Sequence, residues 1–247
     1  MLGGACIAVT LPAFNGGANM SEQKCLVCVV DDNEMELGML RKWLEDAGIE
    51  TAGYTSGSDF VFNAPADRPL VAILDMQMPT PGTKTFDIMQ IRGLSWVPVI
   101  FCTHSGDIDM MAAMYAKGAM GFMSKAPANK ELLVELIHSA MERAVVTYFG
   151  GGKKEKFGVL TLSEPELALL DAYFKDGIIL GAEQAKAIGK SPGSISHYKA
   201  SIYGKLSRGV AKNFEQLRRM YNGVDFRKLH AAALKAKEVR DVASGKI

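Results

Sequence analysis

The run CLVCVVDDNEME, residues 25 to 36, decides the fold. Cys25 through Val30 are apolar without a break and rich in β-branched residues, which predicts a strand buried on both faces. Asp31 and Asp32 then stand side by side where that strand ends. Two adjacent carboxylates repel each other, so the pair gains a purpose only if something cationic sits against it. Working outward, further apolar runs occur at PLVAIL (69–74) and VPVIFC (97–102), with weaker ones at IETAGY (49–54) and AMGFM (119–123). Helical patterns separate them. In the first, Leu37, Leu40, Leu44 and Ala47 recur at helical spacing before Gly48, a C-cap. Five strands alternating with helices predict an α/β domain over residues 24–142, built on a parallel sheet covered on both faces. Ligand sites in such sheets lie beyond the carboxyl ends of the strands.

The net charge of +1 conceals two unlike halves. Residues 1–150 hold 10 Lys/Arg against 17 Asp/Glu, whereas residues 151–247 hold 18 against 10. An acidic half joined to a basic half points to two tasks, with nucleic acid or another anion as the partner of the second. Composition, at 48% hydrophobic and 22% charged, is that of a globular protein. No stretch approaches the roughly 18 apolar residues of a membrane span. Cys25 and Cys28 have redox or metal-ligand spacing, but residues three apart on a strand point to opposite faces. They are expected to be core cysteines of a reducing cytoplasm, and the four cysteines together do not form a disulfide framework. Residues 1–23 are expected to be a disordered extension, with Met20 a possible start and no signal-peptide pattern before it.

After the glycine–lysine stretch FGGGKKEKFG (149–158), within a linker expected over 143–159, strand patterns stop. Ser163 and Glu166 form a capping-box pattern ahead of ELALLDAYF, and AEQAKAIG (182–189) predicts a second helix closed by Gly189. Ser191 and Pro192 open a third helix through Leu206, a short fourth lies near 212–221, and the charged tail 222–247 continues helical. The tight turn between the second and third helices predicts a helix-turn-helix in a small all-α domain over residues 160–221.

The polar features of the first half gather at strand ends. Asp31 and Asp32 follow the 25–30 strand, Asp75 the 69–74 strand, Thr103 the 97–102 strand, and Lys125 the 119–123 strand. Clustered carboxylates suit a hard divalent cation such as Mg²⁺, which takes oxygen ligands. A carboxylate beside Mg²⁺ and a lysine can accept a phosphoryl group, because both cations screen the incoming charge.

This constellation resembles the receiver domain of two-component response regulators, a flavodoxin-like (βα)5 fold. The resemblance implies that Asp75 is the phosphoacceptor and that Asp32 binds Mg²⁺ directly. It further implies that Asp31 acts through water and that the backbone carbonyl of Gln77 completes the protein ligands. Thr103 takes the place of the switch hydroxyl, Lys125 of the lysine that pairs with the phosphoryl group, and Phe122 of the switch aromatic. Two departures stand out: the proline follows Lys125 one residue late, in Lys125-Ala126-Pro127, and MPTPGTKTFD replaces the common glycine-rich turn.

The segment AEQAKAIGKSPGSISHYKASIYGKL resembles the DNA-binding domain of the LuxR/FixJ (NarL) type. Ile195, Ile202 and Leu206 are expected in the core and Tyr198 partly so, leaving Ser194, Ser196, His197, Lys199, Ala200 and Tyr203 nearer the outside. The resemblance implies base reading by Ser196, His197 and Ala200, with Lys199 and Lys205 at phosphates. The function so implied is a cytoplasmic transcription regulator without a multiple-turnover activity of its own. Phosphorylation of Asp75 by a histidine kinase or small phosphodonor would pair two receivers through the fourth strand–fourth helix face. The homodimer would then read double-stranded DNA. The competing reading is a phosphate-accepting interaction module whose helix-turn-helix does not bind DNA. A hydrolase is disfavoured, since the chain shows no P-loop and no Ser or Cys nucleophile beside a base.

Overall fold

The computed structural model describes residues 24–104, 107–149, 161–221 and 224–243, excluding the side chains at 236, 237, 239–241 and 243. The extension 1–23 and most of the expected linker lie outside them. Strands β1 (Leu26–Val30), β2 (Thr51–Tyr54), β3 (Leu70–Leu74), β4 (Val99–Thr103) and β5 (Gly121–Ser124) form one sheet in the order β2-β1-β3-β4-β5. The parallel register sets Val30 against Tyr54 on one side and Leu74 on the other. Each of β1, β3 and β4 is buried at every residue, as unbroken apolar runs require of central parallel strands. The flanking helices are α1 (Glu34–Asp46), α2 (Gly57–Asn63), α3 (Gly82–Ile91), α4 (Ile108–Lys117) and α5 (Lys130–Phe149).

Backbone contacts divide the described residues into two compact units, those within 24–103 and 137–149, and those within 104–136 and 161–243. In the first unit Leu37, Leu40 and Leu44 carry the buried face of α1, and Gly48 turns out of it at φ +77°. Asn33 caps the helix, its side-chain oxygen accepting from the Met35 amide. Cys25 and Cys28 are buried free thiols, and burial pushes both up to about 12, far from reactive.

The second unit combines α4, β5, a 3-10 turn at Pro127–Asn129 and the start of α5 with five further helices. These are α6 (Glu164–Phe174), α7 (Gly181–Ala187), α8 (Pro192–Ser207), α9 (Phe214–Met220) and α10 (Phe226–Ala243). Ser163 and Glu166 meet as the expected box, with the Ser163 amide donating to Glu166 Oε2 at 2.6 Å. Residues 143–149, expected as linker, instead continue α5. Ala140 and Ala144 bury one face there and Trp96 packs on Tyr148 at 5.2 Å, so packing outweighs the glycines that follow. No helix among the described residues is long and apolar enough to cross a membrane.

Candidate functional site

The sheet ladder itself places two of the carboxylates. Past the end of β1 the Asp31 amide donates to the Tyr54 carbonyl at 3.0 Å. Past the end of β3 the Asp75 amide donates to the Val30 carbonyl, also at 3.0 Å. Both residues are therefore held as rigidly as strand residues although they lie outside the strands. Asp31 is fully buried, Asp75 is buried at 6% exposure, and Asp32 faces solvent. The Asn33 amide donates to Asp31 Oδ1 at 3.1 Å, which fixes one oxygen of that carboxylate.

One carboxylate oxygen from each of Asp31, Asp32 and Asp75 lies within 4.8 Å of the others. Three hard oxygen donors at this span fit a small divalent cation and do not suit a soft metal. Gln77, whose carbonyl is the remaining expected ligand, lies two residues beyond Asp75 on the loop into α3. Thr103 closes β4 and is 6% exposed, and Lys125 directly follows β5 and is 2% exposed. Phe122 is buried in β5, its ring 4.9 Å from that of Tyr115 on α4. The peptide before Pro127 is trans, like every other described peptide, and Pro127 opens the 3-10 turn.

Sequence reading passed over Gly82, the first residue of α3. A Cβ built there stands 2.1 Å from the Asp75 backbone oxygen, so only glycine lets α3 begin against the acidic strand end. It also passed over Asn129, buried in the second unit, whose Nδ2 donates to Ser124 O and to Arg219 O, each at 2.9 Å.

On α8 the expected core residues Ile195, Ile202 and Leu206 are buried, and Tyr198 is half-buried. Ser196, His197 and Ala200 are exposed, Ser194, Lys199 and Tyr203 half-buried. Lys199 lies over the Phe214 ring at 5.5 Å, and burial lowers its ammonium from the usual lysine value. Lys205, expected at a phosphate, instead pairs with Glu166 at 2.7 Å.

Residues 27–138 match the family model of the response regulator receiver domain. The tetrathionate response regulatory protein TtrR of Salmonella typhimurium is 26% identical over 76% of this chain and 91% of its own length. The response regulator UvrY of Escherichia coli O6:H1 is 26% identical over 73% of this chain and 87% of its own. Nodulation protein W of Bradyrhizobium diazoefficiens is 27% identical, and the chain spans just over half, 56%, of it. Among solved structures the response regulator StyR aligns with a TM-score of 0.47 at 21% identity, over 86% of this chain and 99% of that one. From its sheet order, its acidic triad and the family match together, the chain carries a response regulator receiver domain over residues 27–138.

Proposed function

We propose that the chain accepts a phosphoryl group on Asp75 and that this controls dimerisation and sequence-specific binding of double-stranded DNA. The observation that carries the reading is the convergence of Asp31, Asp32 and Asp75 within 4.8 Å at the carboxyl end of the sheet. Their carboxylates and the Gln77 carbonyl would hold Mg²⁺, which when bound screens the charge of the phosphoryl group. The ladder bond to Val30 presents the Asp75 carboxylate without a search. An Asp75 oxygen bonds to phosphorus as the donor's bond to phosphorus breaks, and the donor leaves with the electron pair. The donor is a histidine kinase, through its phosphohistidine, or a small acyl phosphate. The Thr103 hydroxyl then donates to a phosphoryl oxygen, Lys125 supplies positive charge, and Phe122 follows Thr103.

Asp75→Asn incubated with labelled phosphodonor and Mg²⁺ is expected to take up no label, whereas the parent gains a hydroxylamine-sensitive acyl phosphate. Label at the parental level in Asp75→Asn overturns the assignment.

In the second half the exposed Ser196, His197 and Ala200 of α8 would read base edges, with Ser194, Lys199 and Tyr203, all half-buried, beside them. One observation favours the rival interaction-module reading: Lys205 is spent inside the domain on Glu166. A gel shift with genomic fragments separates the two. The free buried thiols of Cys25 and Cys28 support a reducing, cytoplasmic setting.

A further inference from the structure

Helix α6 and its C-cap set Leu170, Asp171, Phe174 and Lys175 on one face, because positions one turn apart stack on a helix. Arg218 and Tyr221 from the end of α9, and Val224, Asp225 and Phe226 from the start of α10, stand against that face. Together they line a cleft of about 240 Å³, drawn wholly from the second unit. Its floor is apolar. Phe174 meets Phe226 at 5.2 Å between ring centres, and Phe226 meets Tyr221 at 5.5 Å. The Tyr221 hydroxyl is spent elsewhere, on the Leu206 carbonyl and the Tyr115 hydroxyl of α4, so this tyrosine offers the cleft its ring. Phe174 and Val224 are only half-buried and leave apolar surface open where they line the cleft.

The rim carries two carboxylates and two cations, and their partners decide which charge the cleft can take. Asp171 accepts from Arg227 Nε and pairs with Lys175 Nζ, the latter at 2.9 Å. These bonds outweigh burial and hold its carboxyl below the ordinary value. Asp225 caps α10, one oxygen accepting from the Arg227 and Lys228 amides at 3.0 and 3.2 Å, the other 3.9 Å from Lys175. Both carboxylates are therefore committed. Arg218 is exposed and has no ion pair or side-chain hydrogen bond among the described residues. An open guanidinium beside an apolar floor suits a carboxylate, which it can grip with two parallel N–H bonds. The volume lies below the roughly 300–1,000 Å³ of pockets for drug-sized ligands, so it holds one ring with a short acid and excludes a nucleotide.

We propose that this cleft binds a monocyclic aromatic carboxylate, its ring seated on Phe174, Phe226 and Tyr221 and its carboxylate held by the Arg218 guanidinium. Bound there, the acid touches α6, α9 and α10 at once and stabilises their packing by mass action. The helical half thereby takes a small-molecule input of its own, independent of phosphoryl acceptance at Asp75.

Benzoate is the probe, titrated into the full chain and followed by NMR at the amides of Leu170, Phe174, Val224 and Phe226. A Kd below about 1 mM is expected for a ligand of this size. Benzamide keeps the ring without the charge, and acetate keeps the charge without the ring. Each should bind weaker than benzoate by about 10-fold or more. Arg218→Gln should weaken benzoate by about the same factor, since one charge-assisted pair is lost. Lys186→Gln, exposed on α7 and outside the cleft, should change nothing. Because Arg218 is exposed, its variant keeps the fold, and the amide spectrum without probe verifies this. No shift at these amides up to about 10 mM benzoate, well beyond the expected Kd, overturns the site. Benzoate bound equally by the parent and Arg218→Gln, or matched by acetate, means an adventitious anion only and overturns it too. Benzamide matching benzoate overturns the carboxylate as the recognised group.

Discussion

At the scale of single residues, the acidic site depends on how closely its backbone neighbours approach. Gly82 is required by space rather than by backbone conformation, since its Cβ would meet the Asp75 carbonyl oxygen at 2.1 Å and Leu74 Cβ at 3.3 Å. Gly82→Ala must push α3 away from the strand end or bend Asp75 out of its ladder position. The expected cost is about 1–3 kcal/mol, the usual range for overpacking, with slower phosphoryl uptake because the reacting carboxylate moves. Urea unfolding and a labelling time course measure the two effects. Gly38→Ala is the control: this exposed position in α1 has nothing within 4 Å of the added Cβ. It should be neutral or stabilising by up to about 1 kcal/mol. Asp31, Asp32 and Asp75 were legible in the sequence because strand ends are marked by where apolar runs stop. Gly82 was not, because its neighbour is contributed by the fold and not by adjacent residues.

At the scale of elements, α6 shows one carboxylate serving two structures. Glu166 closes the capping box with Ser163 and pairs with Lys205 of α8, so it ties the start of one helix to the end of another. Burial alone would raise the Glu166 carboxyl, but hydrogen bonds from Lys205, Ser201 and Ser163 outweigh it and hold the group below its ordinary value of 4.5. A carboxyl lowered in the folded state adds stability above its unfolded value and loses it as pH falls through the folded one. Glu166→Gln should therefore cost about 1–3 kcal/mol at pH 7. The difference from the parent should shrink as pH drops from about 5 to 3, below the unfolded carboxyl range. Thermal unfolding of both proteins across that range checks the sign, and a gap that widens with acid would contradict it. The box was readable because S-E-P-E is local. Its third member was not, since Lys205 lies 39 residues on, and the same holds for Tyr115 and Tyr221, 106 residues apart. Strand positions were readable to within about two residues, most plainly at the central strands β1, β3 and β4, which announce themselves by uninterrupted burial. The end of α5 was misjudged because Gly and Lys downstream signal a linker, while Ala140 and Ala144 were already committed to packing.

At the scale of the whole chain, the charge asymmetry sets a condition on how the switch can work. Residues 1–150 carry a net −7 and residues 151–247 a net +8. Phosphorylation adds about −1.5 to −2 charges to the acidic half, by analogy with phosphorylated hydroxyls. Electrostatics alone would then weaken attraction to DNA, so a phosphorylation-dependent gain in affinity has to come from a change of assembly or from exposure of the DNA-binding helices. Two paired helix-turn-helix units neutralise about twice the phosphates of one. Log affinity should fall with log salt by about 0.9 per phosphate neutralised, and the slope should roughly double on adding beryllium fluoride with Mg²⁺. Lys199→Ala should flatten the slope by about 1 per subunit if Lys199 leaves its place over Phe214 to reach a phosphate. Lys205→Ala should leave it unchanged, since that lysine is held by Glu166. Fluorescence anisotropy from 50 to 300 mM salt measures all four slopes. An unchanged slope with higher affinity would mean that phosphorylation exposes an existing single site and that dimerisation is not the source of the gain.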